Sequence, residues 1–124
     1  MIDLCARLPS FMLYLMRDDN LVRVILDPLI QEVELPAGME VDGLGFVQLA
    51  YGSGLEPPIT DLIIDDKGIR ATLNFDNKPS PTFIPWISVA AIVDAQGFCW
   101  QNIPLLHVAH TRHQASNEHS QMVH

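Results

Sequence analysis

The chain has 124 residues, a formal net charge of −8 at pH 7 and a hydrophobic fraction of 48%. This length suits one domain with its own core. With 7 Lys and Arg against 15 Asp and Glu, the chain could neutralise few phosphates, which argues against a nucleic-acid or anionic-membrane partner. No run of membrane-spanning length and no signal-peptide pattern are present, so we expect a cytoplasmic protein.

The first predicted element is a helix over residues 8–19, with Pro9 in its first turn. Four apolar residues recur at helical spacing and should face the core: Leu8, Phe11, Met12 and Leu15. Three more apolar residues remain on the other sides: Leu13, Tyr14 and Met16. A helix that is apolar nearly all round needs a second cover, so we expect these three to form a homodimer interface. Simple exposure of Tyr14 and Met16 at the surface is the alternative.

Short apolar runs separated by turn residues then predict a series of strands. The pair Asp42-Gly43 is typical of a hairpin turn, and Asp65–Gly68 is a second turn of this kind. Residues 52–58 form the longest predicted loop. The strands predicted in this part of the chain are residues 21–27, 29–35, 44–51, 61–64 and 68–75.

The segment from Ile69 to Phe98 carries the clearest pattern. Apolar and polar residues alternate along its first strand, as in a half-buried strand, and the turn residues Asp76–Pro79 lead into a second strand. A kink at Pro85-Trp86 introduces a third strand, wholly apolar up to Asp94, which resembles a strand covered on both faces. Residues 98–102 are then expected to close the sheet.

Together these elements predict a mainly β fold over residues 1–104, with one N-terminal helix and a small curved antiparallel sheet or barrel over residues 21–102. Residues 105–124 are polar and rich in histidine, and they are predicted to form a flexible tail.

The sequence contains no arrangement typical of catalysis. No serine lies in a nucleophile elbow, and no glycine-rich phosphate loop is present. We therefore predict a protein that is not an enzyme and uses no cofactor. His107, His110 and His113 have a spacing that would place pairs on one helical face for a metal. A solvated tail is the favoured interpretation, because metal ligands need packed support.

Two further groups of reactive side chains have structural interpretations. Asp61 and the segment Asp65–Gly68 offer carboxylates, but they lack the alternating oxygen ligands of a calcium loop and are predicted to belong to turns. Cys5 and Cys99 lie far apart in sequence and are interpreted as unpaired thiols in a reducing compartment.

Several of these motifs, taken in order, resemble one known family. A helix stop at Asp18–Leu21 is followed by a strand ending in Asp27, and an Asp-Gly turn at Asp42 precedes an apolar strand ending in Ala50. The block from Ile69 to Val93 matches without gaps. This order and spacing, over residues 8–98, resembles the stringent starvation protein B (SspB) family, bacterial adaptors that carry tagged proteins to the protease ClpXP.

The resemblance implies an Sm-like β-barrel, a homodimer and a groove on each subunit for an ssrA-like degradation tag. It also implies a tail that docks on the ClpX ATPase. The residues we expect to line the groove are Ala50, Ala71, Leu73, Asn74, Phe75 and Phe83. For Phe83 and Trp86, which flank Pro85, plain core packing is the open alternative.

The chain departs from the family in three places, of which the first is the loop from Tyr51 to Thr60, longer than in typical members. Leu73 stands where well-known members have a small residue, and the tail ends Ser120–His124 without a hydrophobic-basic docking motif. A structural or regulatory interaction domain with the same fold and a different partner is therefore the alternative function.

Overall fold

The computed structural model describes residues 4–17, 20–52, 54–55, 57–97, 99–102 and 104–105. In this part of the chain one α-helix precedes seven strands, and a 3₁₀ turn, Trp86–Ser88, lies between the fifth and the sixth. The elements are α1 (Leu4–Met16), β1 (Leu21–Leu26), β2 (Val47–Gly52), β3 (Ile63–Ile64), β4 (Gly68–Phe75), β5 (Lys78–Pro85), β6 (Val89–Asp94) and β7 (Cys99–Gln101).

The strands form two antiparallel sheets, which confirms the prediction of a mainly β protein with an N-terminal helix. The larger sheet has the order β2-β1-β6-β7, and the smaller has the order β3-β4-β5. The expected closed barrel is not formed by the described residues, because no ladder joins the two sheets. An isolated bridge from Glu34 to Phe83 extends the smaller sheet instead.

One hydrophobic cluster joins α1 to both sheets. Its members include Met12, Val24, Leu49, Ile69 and Ile92, all of them buried. Burying each such side chain contributes about 1.5–3 kcal/mol, so this cluster is the main source of stability.

The helix begins and ends earlier than the sequence predicted. It spans Leu4–Met16 rather than residues 8–19, and Pro9 therefore lies inside it and not in its first turn. In a helix interior a proline removes one backbone hydrogen bond and its ring crowds the carbonyl four residues earlier, at a cost of about 3 kcal/mol. The burial of Leu8 and Met12 on either side offsets that cost. The predicted last residues, 18 and 19, lie outside the described residues.

The long connection between β1 and β2 was the least well predicted segment. The expected strand over residues 29–35 is wrong, because the carboxylate of Asp27 accepts the Leu29 N–H at 3.0 Å and turns the chain. Glu32 has a φ of 78°, which no regular strand tolerates. Within this stretch only Glu34 forms a bridge. This connection is also longer than the loop after β2, which was predicted to be the longest.

The two hairpins of the smaller sheet follow the sequence closely. The Asp65–Gly68 turn is confirmed, since the Asp65 carboxylate accepts the N–H groups of Lys67 and Gly68 at 2.9 and 3.2 Å. The second turn is tighter than predicted. Only Asp76 and Asn77, with φ of 51° and 66°, form it, so Lys78 and the following proline belong to β5. Two positive φ values are typical of a type I′ turn, which suits the twist of adjacent strands.

The apolar strand after Pro85 is confirmed as β6, Val89–Asp94, and its first four residues are buried. The chain breaks at the predicted kink and forms the 3₁₀ turn Trp86–Ser88 before β6 begins. The expectation that the whole apolar run is covered on both faces is wrong at Ile87, whose side chain is 61% exposed. The turn directs Trp86 and Ser88 inward and leaves Ile87 outside.

Candidate functional site

The edge of the larger sheet formed by β2 has backbone groups that pair with none of the described residues. Asn102 N–H donates to the Ala90 carbonyl at 2.8 Å, so even-numbered residues of β6 direct their peptide groups toward β7. Peptide groups alternate direction along a strand. Given the registers of β6 on β1 and of β1 on β2, the N–H and C=O groups of Leu49 point toward β1, inside the sheet. The N–H and C=O groups of Gln48 and Ala50 therefore point away from it.

The residue before β2 agrees with this alternation. Phe46 is even-numbered, and both of its backbone groups bond outside the sheet. Its N–H donates to the Asp42 carboxylate at 3.0 Å, and its carbonyl accepts the Asp42 N–H at 2.8 Å. The predicted turn at Asp42-Gly43 is confirmed, because the Gly45 N–H donates to the Asp42 carbonyl at 3.0 Å, although Asp42 itself lies in no strand. Asp42 also caps the start of the β2 edge, and the free edge begins at Gln48.

The facing edge of β5 is closed to further pairing. The tight turn makes Phe75 and Lys78 a hydrogen-bonded pair, so odd-numbered residues of β5 point away from β4. Phe83 is one of these, and its N–H and C=O already pair with Glu34 at 3.1 and 2.9 Å. The other three lack an N–H group: Pro79, Pro81 and Pro85. This strand therefore has no outward donor left, which also explains why the barrel does not close.

A cavity of about 350 Å³ lies between the open β2 edge and the turn end of the β4–β5 hairpin. We call it the edge groove. It brings together four of the residues predicted from the sequence: Ala50, Leu73, Asn74 and Phe75. It also contains residues that the sequence did not single out: Gln48, Leu49, Leu55, Pro57, Pro58, Ile59, Thr60, Thr72 and Pro79. Its walls are therefore mostly apolar, with backbone polar groups along one side.

Two residues predicted for the groove lie elsewhere. Ala71 is buried on the inner face of β4, where its carbonyl accepts a hydrogen bond from the Thr82 hydroxyl at 2.7 Å. Phe83 is also buried and lines a different cavity at the opposite end of the hairpin, with Trp86. The structure thus separates these two residues from the four that line the edge groove.

The loop that forms the outer wall of the groove is held to β4 by a carboxylate. Asp61 accepts hydrogen bonds from the Thr72 hydroxyl at 2.6 Å and from the Thr72 N–H at 2.9 Å. These bonds lower the pKa of Asp61, since they stabilise its charged form. Asp61 therefore has a structural role, but in a contact between the loop and β4 and not in a local turn.

A second and larger cavity, about 800 Å³, adjoins the edge groove. The two share Gln48, Asn74 and Phe75. Its other walls come from the loop before β2, which includes Asp42, together with Ile25 of β1 and Asp76 of the hairpin turn. A ligand lying along β2 could therefore extend past the capped start of the strand.

The opposite face of β2 is part of the core. Tyr51 is fully buried, and its hydroxyl has no hydrogen-bond partner of good geometry among the described residues. The neighbouring Thr82 hydroxyl, which donates to the Ala71 carbonyl, lowers the pKa of Tyr51 by less than burial raises it. Burial raises the pKa of Tyr51 well above its ordinary value of 10.0. The β2 strand is thus fixed by packing on one face.

The exposed side of α1 is a narrow stripe. Leu13 and Tyr14, both predicted for a dimer interface, are 55% and 58% exposed, and the Arg17 guanidinium lies 3.7 Å from the centre of the Tyr14 ring. Met16, the third predicted interface residue, is half-buried and packs against the core. The predicted inward face of the helix is confirmed, because Leu8, Phe11, Met12 and Leu15 are buried or half-buried.

The candidate metal ligands and thiols of the sequence lie only partly within the described residues. Among the described residues no three His, Cys, Asp or Glu side chains come together as a metal site. The five histidines of the tail and the side chains of Cys5 and Cys99 lie outside the described residues. Leu105, at the predicted start of the tail, packs against Phe46 and Ala90. In the described part of the chain, no helix has the length and apolar character needed to cross a membrane.

Comparisons with known proteins add no assignment: neither the protein-family models nor the curated proteins include a match to this chain.

Proposed function

We propose that this protein is a non-enzymatic adaptor, which binds an extended degradation-tag peptide in the edge groove and delivers the tagged protein to ClpXP. The observation that carries the proposal is the open β2 edge. Gln48 and Ala50 direct two N–H and two C=O groups toward a cavity with apolar walls. A peptide added as a further strand would pair with these groups, which is a common mode of peptide recognition.

The geometry of the groove suggests how such a peptide would be read. Outward groups recur every second residue, about 7 Å apart, so two pairs of backbone hydrogen bonds engage a segment of about four residues. Alternate side chains of that segment would contact Leu73 and Phe75 on the hairpin. Backbone pairing supplies affinity for any extended chain, and these apolar contacts supply the selectivity.

Delivery to the protease is the part of the proposal that depends on the SspB resemblance. An adaptor acts by raising the local concentration of its cargo at the protease, and it needs no chemistry of its own. The Sm-like fold, the cytoplasmic location and the docking of the tail on ClpX belong to the same proposal. A degradation assay with ClpXP and a tagged substrate tests this step, and the adaptor should lower the substrate concentration needed for half-maximal degradation.

We expect saturable binding of a fluorescent ssrA-like peptide in an anisotropy titration. Gln48→Pro removes one outward N–H and should weaken binding about tenfold, because proline is tolerated at an edge position while its donor is lost. Gln48→Ala is the matched control, since it keeps the N–H and should bind nearly as well as the wild type. Leu73→Glu should abolish binding, and circular dichroism would check its fold.

Two results would contradict the proposal. One is the absence of binding by folded wild-type protein at several hundred micromolar. The other is equal binding by Gln48→Pro and Gln48→Ala. In either case the alternative applies, a structural or regulatory interaction domain with a different partner. The size of Leu73 in the groove is the observation that favours this alternative, because it narrows the space for a peptide side chain.

The adaptor is a homodimer in this proposal, joined through the exposed stripe of α1. Leu13 and Tyr14 supply its apolar centre, and the half-buried Met16 adds only its edge. Leu13→Asp combined with Tyr14→Asp should therefore give a folded monomer by light scattering at tens of micromolar. Gln31→Asp, a change at an exposed loop residue, should leave the dimer intact. A monomeric wild-type protein would exclude the dimer and leave the peptide site untouched.

A further inference from the structure

A cavity of about 310 Å³ lies at the end of the β4–β5 hairpin that is remote from the Asp76-Asn77 turn. We call it the Arg70 pocket. It shares no lining residue with the edge groove, so it is a separate feature of the surface. Its lining residues are Glu32, Lys67, Arg70, Phe83, Pro85, Trp86 and Ile87.

The position of the Arg70 guanidinium is fixed by an aromatic ring. Its central carbon lies 4.0 Å from the centre of the Phe83 ring, directly across the β4–β5 ladder. Stacking of this kind holds the flat guanidinium by its face and leaves its N–H groups free at the rim. Phe83 is itself held by its two backbone bonds to Glu34. Arg70 is therefore a pre-positioned donor on a rigid support.

Neither cation of the pocket has an ion-pair partner among the described residues. The Arg70 guanidinium stacks on the Phe83 ring, and neither it nor the Lys67 ammonium has a described carboxylate as a hydrogen-bond or ion-pair partner. This is unusual in a chain with 15 acidic residues and only 7 basic ones. The side chain of Ile87, which lines the same pocket as the two cations, is 61% exposed. A charged group and an apolar group are thus offered side by side.

We propose that the Arg70 pocket is a docking site for an acidic-apolar segment of a partner protein. A single Asp or Glu carboxylate would accept two hydrogen bonds from the Arg70 guanidinium, with Lys67 nearby, because guanidinium and carboxylate pair in this bidentate way. The next apolar side chain of the segment would lie on Ile87. Glu32 also lines the pocket, so its lining has two positive charges and one negative charge, which suits a single carboxylate better than a polyanion such as nucleic acid.

The test uses the 124-residue chain and a capped fluorescent peptide, Gly-Asp-Ile-Phe-Gly-Ser, with an Asn-for-Asp counterpart. We expect saturable binding of the Asp peptide, weakened about tenfold by Arg70→Gln. The Asn peptide should bind wild type and Arg70→Gln equally, because it has no carboxylate that could pair with the Arg70 guanidinium. Arg23→Gln, the same change of charge on an exposed residue of β1, should have no effect.

Amide chemical shifts locate the bound peptide. The proposal expects shifts at Lys67, Arg70 and Ile87. It would be overturned by shifts confined to Gln48 and Ala50, by an equal loss of affinity in Arg23→Gln, or by binding only of a peptide with a free α-carboxylate. Failure of tag binding in the edge groove would leave this result unaffected, since the two sites share no residue.

Discussion

Gly68→Ala should destabilise the protein by about 3 kcal/mol in urea unfolding monitored by tryptophan fluorescence. A β-carbon at this position would collide with the carbonyl group of Ile84 on β5 and lie only 2.9 Å from the Cα of Pro85. Gly68 also has a φ of 156°. Both obstacles are backbone atoms in a paired ladder, and neither can move without breaking the hairpin.

Substitutions at two other glycines distinguish the stability cost of the collision from the cost of the backbone conformation. Gly45 has a φ of 86°, but an added β-carbon there meets nothing within 4 Å, so Gly45→Ala should cost about 1 kcal/mol from conformational strain alone. Gly43 has neither feature, and Gly43→Ala should change the stability by less than about 0.5 kcal/mol. Equal losses in Gly68→Ala and Gly45→Ala would show that the close approach of β4 and β5 is not as described.

Trp86→Ala should cost about 3–5 kcal/mol, the other large effect that the structure predicts. The indole is buried in the core cluster, and its Nε1–H donates to the Asp65 carbonyl at 2.6 Å. This bond joins the 3₁₀ turn before β6 to the turn between β3 and β4. Removal of the ring would leave a cavity and an unsatisfied carbonyl at the same time.

The neighbouring residue provides the control for Trp86. Ile87→Ala shortens a side chain that is 61% exposed, and we expect a change of less than about 0.5 kcal/mol. Trp86→Phe keeps most of the ring volume and removes the donor, so its cost of about 1–2 kcal/mol should measure the hydrogen bond to Asp65. A cost for Trp86→Ala no larger than that for Ile87→Ala would mean that the indole is not part of the core.

The parts of the fold that were predicted correctly depend on local pattern. The two hairpins around β4 have alternating residues and strong turn residues within a few positions of each other. The expected strand at residues 29–35 failed because its apolar residues resembled a strand, while one carboxylate, that of Asp27, decided the local path. A side-chain bond of this kind competes with the ladder and leaves no periodic trace in the sequence.

Only part of the candidate site could be predicted from the sequence. Ala50, Leu73, Asn74 and Phe75 came from the family resemblance, and the structure brings them to one cavity. Gln48 was missed because the openness of an edge depends on the order of strands, which is a long-range property. A signal was present in the spacing of Pro79 and Pro81, since prolines at alternate positions indicate which side of a strand cannot pair.

The proline-lined edge of β5 has a consequence for how copies of this protein behave at high concentration. Exposed strand edges are templates for fibrous aggregation, and proline is one of the devices that protects them. Here the protection is limited to β5, because the other edge strands contain no proline and β2 remains open at Gln48 and Ala50. Edge-to-edge polymerisation through β2 and the proposed binding of an extended peptide need the same amide groups, so they exclude each other. A loaded molecule would therefore be the one best protected against aggregation.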